Sequence, residues 1–549
     1  MKKVILIAAI MLGCASSIVA GNLVTIAESS NYTQTSLYAD VMNFLFDAQK
    51  SSDLIKIAPF ITSTEGRMVP LVILSHDHIY APGDLRSHRT PTVLIMANIH
   101  AGEIEGKEAC MMLIRDIAEG KMPGILDHQT ILILPIYNAD GNEKLGKNRG
   151  DNGPELAGMR PNGQNLDLNR DYTKLESIEA RGLIDLLKAW DPVLIVDMHT
   201  TDGSYHRQPI TYTTMSEPNV DKTLRDFMWQ KLFPAVSETL KTKYGFDSIP
   251  YGNFIDRENP DKGWENDSIE PRYGSNYVGL RNRFTILDEN YSHADFKTRV
   301  LSSHAFIKSI LEYTSVNITT MQNLADASDI ETAHHFASQP FAIESKLEKL
   351  FDLTIKSYEF KKEIIKPEDK SKYPTWFGDF LIQPTDVTKD YRVPYFGCGV
   401  PAKTIALPAG YIVLPFQNAV IDNLKRHGIR VERFQEKCRM TAENFVIETI
   451  ELEKNIYQGH VLKKLTGHYE KNDTDFPSGC SYIPMNQSLA RLIPILLEPQ
   501  CADSLVAWGA FDRVIVEQWS EKPSLYPVYR ISERPPVPML IEADSHCGQ

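Results

Sequence analysis

Val93-Leu94-Ile95-Met96-Ala97-Asn98-Ile99-His100-Ala101-Gly102-Glu103 begins as an unbroken apolar run and stops on an imidazole and a carboxylate three positions apart. Such a run suits a strand buried on both faces, and polar groups just past its end can point at one spot. Two later stretches stop in the same way: 193–196 runs into Asp197 and His199, and 284–287 runs into Asp288 and Glu289. Ligands of open parallel sheets gather beyond the carboxyl ends of the strands. Strands that deliver His100, Glu103, His199 and Glu289 to that edge therefore predict a metal site with a carboxylate beside it.

The segments between these strands supply the rest of an α/β pattern. After Glu105-Gly106 a helix is expected to about Ala118, with Cys110, Leu113, Ile114 and Ile117 on one face, followed by a strand over 130–136 and a helix over 174–190. Strand and helix alternating in this way predict a parallel sheet covered on both sides. Upstream, 30–52 has helical spacing, and 57–60 and 69–74 read as strands around the turn Thr64-Glu65-Gly66-Arg67. Helices over 224–242 and from about Asp295 to Tyr313 would complete the first domain. Two irregular stretches, 138–165 and 245–282, are long enough without periodicity to suggest a functional role.

A chain of 549 residues exceeds one ordinary core, so a second domain is expected. Residues 314–345 lack strong periodicity and read as a connection. Beyond Leu350 the pattern turns to short β segments, with helices expected over 418–427 and 487–496. The expected division is a signal peptide over 1–20, a catalytic domain over 21–315, a connecting segment over 316–345 and a β-rich accessory domain over 346–549.

Composition is globular, with 42% hydrophobic and 23% charged residues, and the net charge of −13 argues against nucleic-acid binding. The N-terminus, with Lys2 and Lys3, an apolar stretch over 4–12 and small residues to Ala20, reads as an export signal. It predicts a periplasmic or extracellular protein with no membrane span after the signal. Cys14, after Met11-Leu12-Gly13, resembles an imperfect lipoprotein box and offers lipid anchoring as an alternative. Seven widely spaced cysteines exclude a dense disulfide scaffold, although export would permit one or two bridges beyond residue 390.

Two imidazoles and one carboxylate, His100, His199 and Glu103, form a recognised catalytic zinc set that leaves a fourth place for water, which zinc acidifies. Magnesium prefers oxygen donors, so Zn2+ is the expected ion. The pieces Asn98-Ile99-His100-Ala101-Gly102-Glu103, Tyr137-Asn138-Ala139-Asp140-Gly141, Asn165-Leu166-Asp167-Leu168-Asn169-Arg170, Asp197-Met198-His199 and Leu287-Asp288-Glu289-Asn290-Tyr291-Ser292 occur in one order. In that order they resemble the M14 family of zinc carboxypeptidases. The resemblance implies a metallocarboxypeptidase-like α/β fold: a mixed, mainly parallel sheet flanked by helices, here with a C-terminal β-rich domain.

It also implies roles. His100, Glu103 and His199 fall on the metal ligands, Glu289 on the general base, and Asp167 on the carboxylate that orients the first histidine. Asn169 and Arg170 fall on the pair that grips the substrate's terminal carboxylate, and Arg160 on the arginine that polarises the scissile carbonyl, with Arg149 as a competitor. Tyr277 is the candidate for a tyrosine over the substrate, with Tyr273 and Tyr251 in the same loop. Asp197 is a further candidate to orient a histidine. The expected substrate is a peptide, or something like one, with a free carboxylate. A zinc deacylase or cell-wall amidase on the same fold, and a non-enzymatic binding protein, are the alternatives. Asp256, Glu258, Glu265, Arg257, Arg272 and Arg281 in the second irregular stretch leave side-chain preference open.

Overall fold

A computed structural model describes residues 23–85, 90–147, 152–266, 269–372, 379–515 and 526–542. The signal-like stretch with Cys14, Arg149 and Cys547 lie outside the described residues.

The first half is built on an eight-stranded sheet. Its strands in chain order are β1 (Ile55–Thr62), β2 (Met68–Leu74), β3 (Thr92–Ala97), β4 (Thr130–Leu134), β5 (Leu194–Thr201), β6 (Ile210–Thr213), β7 (Ser248–Pro250) and β8 (Phe284–Tyr291). They lie in the order β1-β2-β4-β3-β5-β8-β6-β7. The central run β4-β3-β5-β8 is parallel, and antiparallel pairs flank it on both sides. The central strands are the continuous apolar runs of the sequence. Every residue of β3 and β4 is buried, as expected where helices cover both faces.

Helix α1 (Glu105–Ala118) follows β3, and α2 (Ile178–Trp190) leads into β5. Helix α3 (Phe296–His335) leaves β8 and runs for 40 residues. The expected connection over 314–345 is thus helical as far as His335, a correction with a simple cause. Its buried stripe is Thr314, Ile318, Met321, Ala325, Ser328 and Thr332, spaced for a helix but made largely of small and polar side chains. Two of these work as hydrogen-bonding groups, Ser328 to Asp221 and Thr332 to Asn282, so hydrophobic periodicity is weak there.

The second half is β-rich. A long hairpin, β9 (Phe341–Ile364) with β10 (Phe380–Ile405), reaches back to pair with Trp264 and Glu265 of the first half. A seven-stranded sheet follows, in which β11 (Cys438–Tyr457) and β12 (His460–Phe476) form a second long hairpin. The two halves share one apolar core, which joins Ile95 and Val196 to Phe341, Tyr411, Leu496 and Val528. Buried Arg491 ties them further, donating to Asn219 O at 2.6 Å and to Asn282 Oδ1 at 2.9 Å. The five described cysteines are free and buried.

Candidate metal centre and substrate cleft

Strand β3 hands over to the site through Asn98, whose φ of +64° turns the chain sharply, a conformation that asparagine tolerates better than most residues. Its side-chain amide donates to the carbonyls of Ala101 and Glu103, at 3.1 and 3.2 Å, and so folds the loop back on itself. His100 and Glu103 consequently face one another, with Nδ1 to Oε1 at 2.9 Å. The second Glu103 oxygen lies 3.1 Å from Nδ1 of His199 and accepts from the Thr200 backbone at 3.0 Å. Ligand atoms of His100, Glu103 and His199 all lie within 4.8 Å of one another, and all three residues are buried.

The outer nitrogen of each histidine meets an aspartate. His100 Nε2 is 3.0 Å from Asp167 Oδ1, and His199 Nε2 is 2.9 Å from Asp197 Oδ2. Asp197 reaches its histidine because β5 continues to Thr201, which keeps residues two apart on one face. A metal-ligating histidine usually offers one nitrogen to the ion and the other to a carboxylate. Two such histidines around one carboxylate are a donor set that fits zinc. Burial alone would raise the Glu103 carboxyl, but His100 and His199 hold it well below the usual range. Burial alone would lower His199, and Asp197 and Glu103 push it well above an ordinary imidazole.

Glu289 stands beside His199 in the register of β8 on β5, and Leu287 stands beside Asp197. Asp288, one residue earlier, pairs with Met198 and is buried on the opposite face. Glu289 is half-buried and opens on a cleft of about 190 Å³ that is also lined by His100, Glu103, His199, Arg160, Asn169 and Arg170.

Arg160 arrives on a loop that lies against the His100–Glu103 turn. A Cβ on Gly158 would meet Ala101 O at 2.6 Å, and one on Gly102 would meet Gly158 O at 2.8 Å, so the approach depends on both glycines. Arg160 Nε donates to Asp167 Oδ2 at 2.8 Å, and its Nη1 is 3.6 Å from Glu103. Asp167 thus bridges His100 and Arg160 while capping the short 3-10 turn Leu168–Arg170 that presents Asn169 and Arg170. Burial works to raise the Asp167 carboxyl, but His100, Arg160 and Arg170 hold it well below the ordinary value.

Tyr277 is not in the cleft. It is wholly buried on the helix Gly274–Leu280, where its hydroxyl lies 2.7 Å from Nδ1 of His427 in the second half. Its neighbours in the loop do line the cleft: Tyr251 and Tyr273, the latter with its ring centroid 4.3 Å from the Arg170 guanidinium carbon. Burial, with smaller contributions from surrounding charges, pushes the Tyr273 hydroxyl up to about 12. None of the six charged candidates for side-chain preference lines the cleft. Several pair elsewhere: Asp256 with Lys262, Glu258 with Lys362, Arg272 with Asp503, and Arg281 with the His427 carbonyl. Thr200, Thr201, Asp202 and Ser275 line the cleft in their place, residues that no motif marks.

The profile of the zinc carboxypeptidase family matches residues 42–244, which include the His-Glu-His group, Arg160 and the Asn169-Arg170 pair. Over that stretch the chain is similar to zinc carboxypeptidases. The proteins it resembles are zinc metallocarboxypeptidases, which supports an enzyme of metal-dependent peptide hydrolysis over the binding-protein alternative. Glu289 lies beyond the matched stretch. Carboxypeptidase 2 of Trichophyton tonsurans is 22% identical over 490 residues, covering 85% of this chain and 81% of the relative, so that likeness extends into the β-rich half. Human carboxypeptidase D is 26% identical over 162 residues, 24% of this chain and 12% of that protein. Among solved structures, the metallo-carboxypeptidase from Burkholderia cenocepacia is 16% identical with a TM-score of 0.37, covering 51% of this chain and 70% of its own. Carboxypeptidase A from Helicoverpa armigera is 14% identical with a TM-score of 0.38, covering 54% and 75%. Among the described residues no helix is long and apolar enough to cross a membrane.

Proposed function

We propose that this enzyme is exported and releases C-terminal residues from peptides, with the catalytic unit in residues 21–315 and the β-rich half as its wall. The observation that carries this reading is one cleft that joins the His100, Glu103 and His199 donor atoms, the Glu289 carboxylate and the Arg170 guanidinium. His100, Glu103 and His199 would hold zinc, which when bound polarises a carbonyl and makes water acidic near neutral pH. Asp167 orients His100.

Arg170 and Asn169 bind the terminal carboxylate. A guanidinium meets a carboxylate with two parallel hydrogen bonds, which selects a free C-terminus and sets the last peptide bond against the metal ligands. Arg160 faces the carbonyl oxygen and stabilises the negative charge that develops there. Glu289 accepts a proton from the attacking water and returns it to the departing amine, as a positioned carboxylate beside a polarised water is suited to do. Tyr273, in contact with Arg170, takes the place over the substrate that Tyr277 does not occupy.

The test is a peptide supplied as the free acid and as its C-terminal amide, with and without chelator. Release of one residue from the acid, abolished by chelation, restored by zinc and lost on amidation, is the expected result. Equal turnover of the amide would overturn carboxylate recognition and favour a deacylase or amidase reaction.

A further inference from the structure

The β11–β12 hairpin of the second half ends in a two-residue turn, Gln458-Gly459, between Tyr457 and His460. Both turn residues have left-handed backbone, with φ of +52° at Gln458 and +82° at Gly459. Such turns favour asparagine at the first place, and glutamine there carries a conformational cost. The longer side chain has a use: Gln458 Oε1 accepts from the Asp167 backbone N–H at 3.0 Å. Beside it, His460 Nε2 is 2.7 Å from Glu176 Oε1.

Tyr457, on the other side of the tip, packs near Trp508, with ring centroids 6.1 Å apart. The Arg272 guanidinium carbon lies 5.5 Å from the Tyr457 ring centroid, and while burial works to lower the Arg170 guanidinium, Asp167, Tyr273 and Tyr457 beside it push it up. Arg272 is itself held by buried Asp503, with Nε to Oδ1 at 2.9 Å and the backbone N–H donating to Oδ2 at 2.9 Å. The next residue is Tyr273, in contact with Arg170. The second half therefore touches both chain segments that frame the Arg170 guanidinium, 167–170 and 272–273.

We propose that the hairpin tip, through Gln458 and Tyr457, is a positioning element that fixes Asp167 and Arg170 at the carboxylate-binding end of the cleft. The inference rests on the reading of Arg170 as the carboxylate-binding group. Neither Gln458 nor Tyr457 touches the reacting atoms. They add to the Asn169 carbonyl and the Tyr273 ring in setting where the Arg170 guanidinium stands before substrate arrives, and pre-ordering of that kind strengthens binding without altering the bond-breaking step.

The experiment uses the full-length zinc-loaded enzyme and two variants that spare the fold. Gln458→Asn suits the turn better than the native residue but is one methylene too short to reach Asp167. Tyr457→Phe keeps the ring against Trp508 and removes the hydroxyl. For a free-acid peptide, KM is expected to rise about tenfold in the double variant, the size of a lost hydrogen bond to a charged group. The expected kcat stays within about twofold, and the thermal midpoint of Gln458→Asn is expected not to fall. Unchanged KM in the double variant, or a loss confined to kcat and thermal stability, would overturn the inference while leaving the carboxypeptidase reading intact. Failure of the wild-type enzyme to release a residue from the free acid would overturn that reading, and this inference with it.

Discussion

Glu289 and His199 are register partners on neighbouring parallel strands, so their side chains leave the sheet on the same face about one strand spacing apart. That placement gives the two side chains different surroundings: His199 turns Nδ1 toward Glu103, and Glu289 faces the cleft, as the proposed ligand and base require. Glu289→Gln should keep the zinc content of the wild type and lose about 10²–10⁴-fold in kcat. Metal analysis and kinetics on the same preparation check both halves, and full activity would remove Glu289 from the reaction.

Asp167 accepts from both His100 and Arg160, so its carboxylate ties together the proposed metal ligand and the proposed oxyanion arginine. Asp167→Asn preserves shape but presents an amide where two donors already point. Zinc affinity should fall about 10–100-fold, as measured by competition with a chelator. Undiminished affinity would show that His100 is oriented by other contacts.

Tyr277 and Tyr273 should behave oppositely. Tyr277→Phe leaves His427 Nδ1 buried without its partner, so stability should fall by about 1–3 kcal/mol with steady-state constants preserved. Tyr273→Leu strips the ring from beside Arg170 and should raise KM about 3-fold to 10-fold at nearly constant stability. Denaturant unfolding and kinetics of both variants decide the matter, and the reverse pattern would restore Tyr277 to the cleft.

His427 lies buried between the halves, its Nε2 donating to the Thr173 carbonyl at 3.2 Å while Nδ1 accepts from Tyr277. Burial, with the charges of Arg281 and Lys188, pushes it down to about 3. An unfolded histidine titrates near 6.5, so between about pH 6.5 and 3 the unfolded chain takes up a proton that the folded one refuses. This contribution is complete above pH 6.5 and is lost as the pH falls, by roughly 2 kcal/mol at pH 5. The thermal midpoint should therefore drop on going from pH 7.5 to 5, and less steeply in His427→Gln. An identical drop in the variant would assign the acid sensitivity elsewhere, for instance to His206, also buried and pushed down to about 3.

The helix Phe296–His335 and the second irregular loop mark where reading the chain failed. In the helix, Thr314, Ser328 and Thr332 occupy buried positions that hydrophobic spacing does not register. In the loop, tyrosines at 251, 273 and 277 are equivalent as letters, and burial against His427 removes one of them from the cleft. Gln458 carries no signal beyond that of a hairpin turn, because its partner Asp167 is 291 positions away.

What the sequence determined by itself was the donor set and the sheet that carries it. An apolar run that stops on His100 and Glu103, and others that stop at His199 and Glu289, can satisfy those polar groups only at a shared strand edge, so local order encodes the convergence. Which tyrosines line the cleft, which charges stay out of it, and what surrounds Arg170 were decided by tertiary structure alone. Those outcomes depend on the second half packing onto the first through one common core, and contacts between distant segments follow from shape and burial rather than from any pattern along the chain.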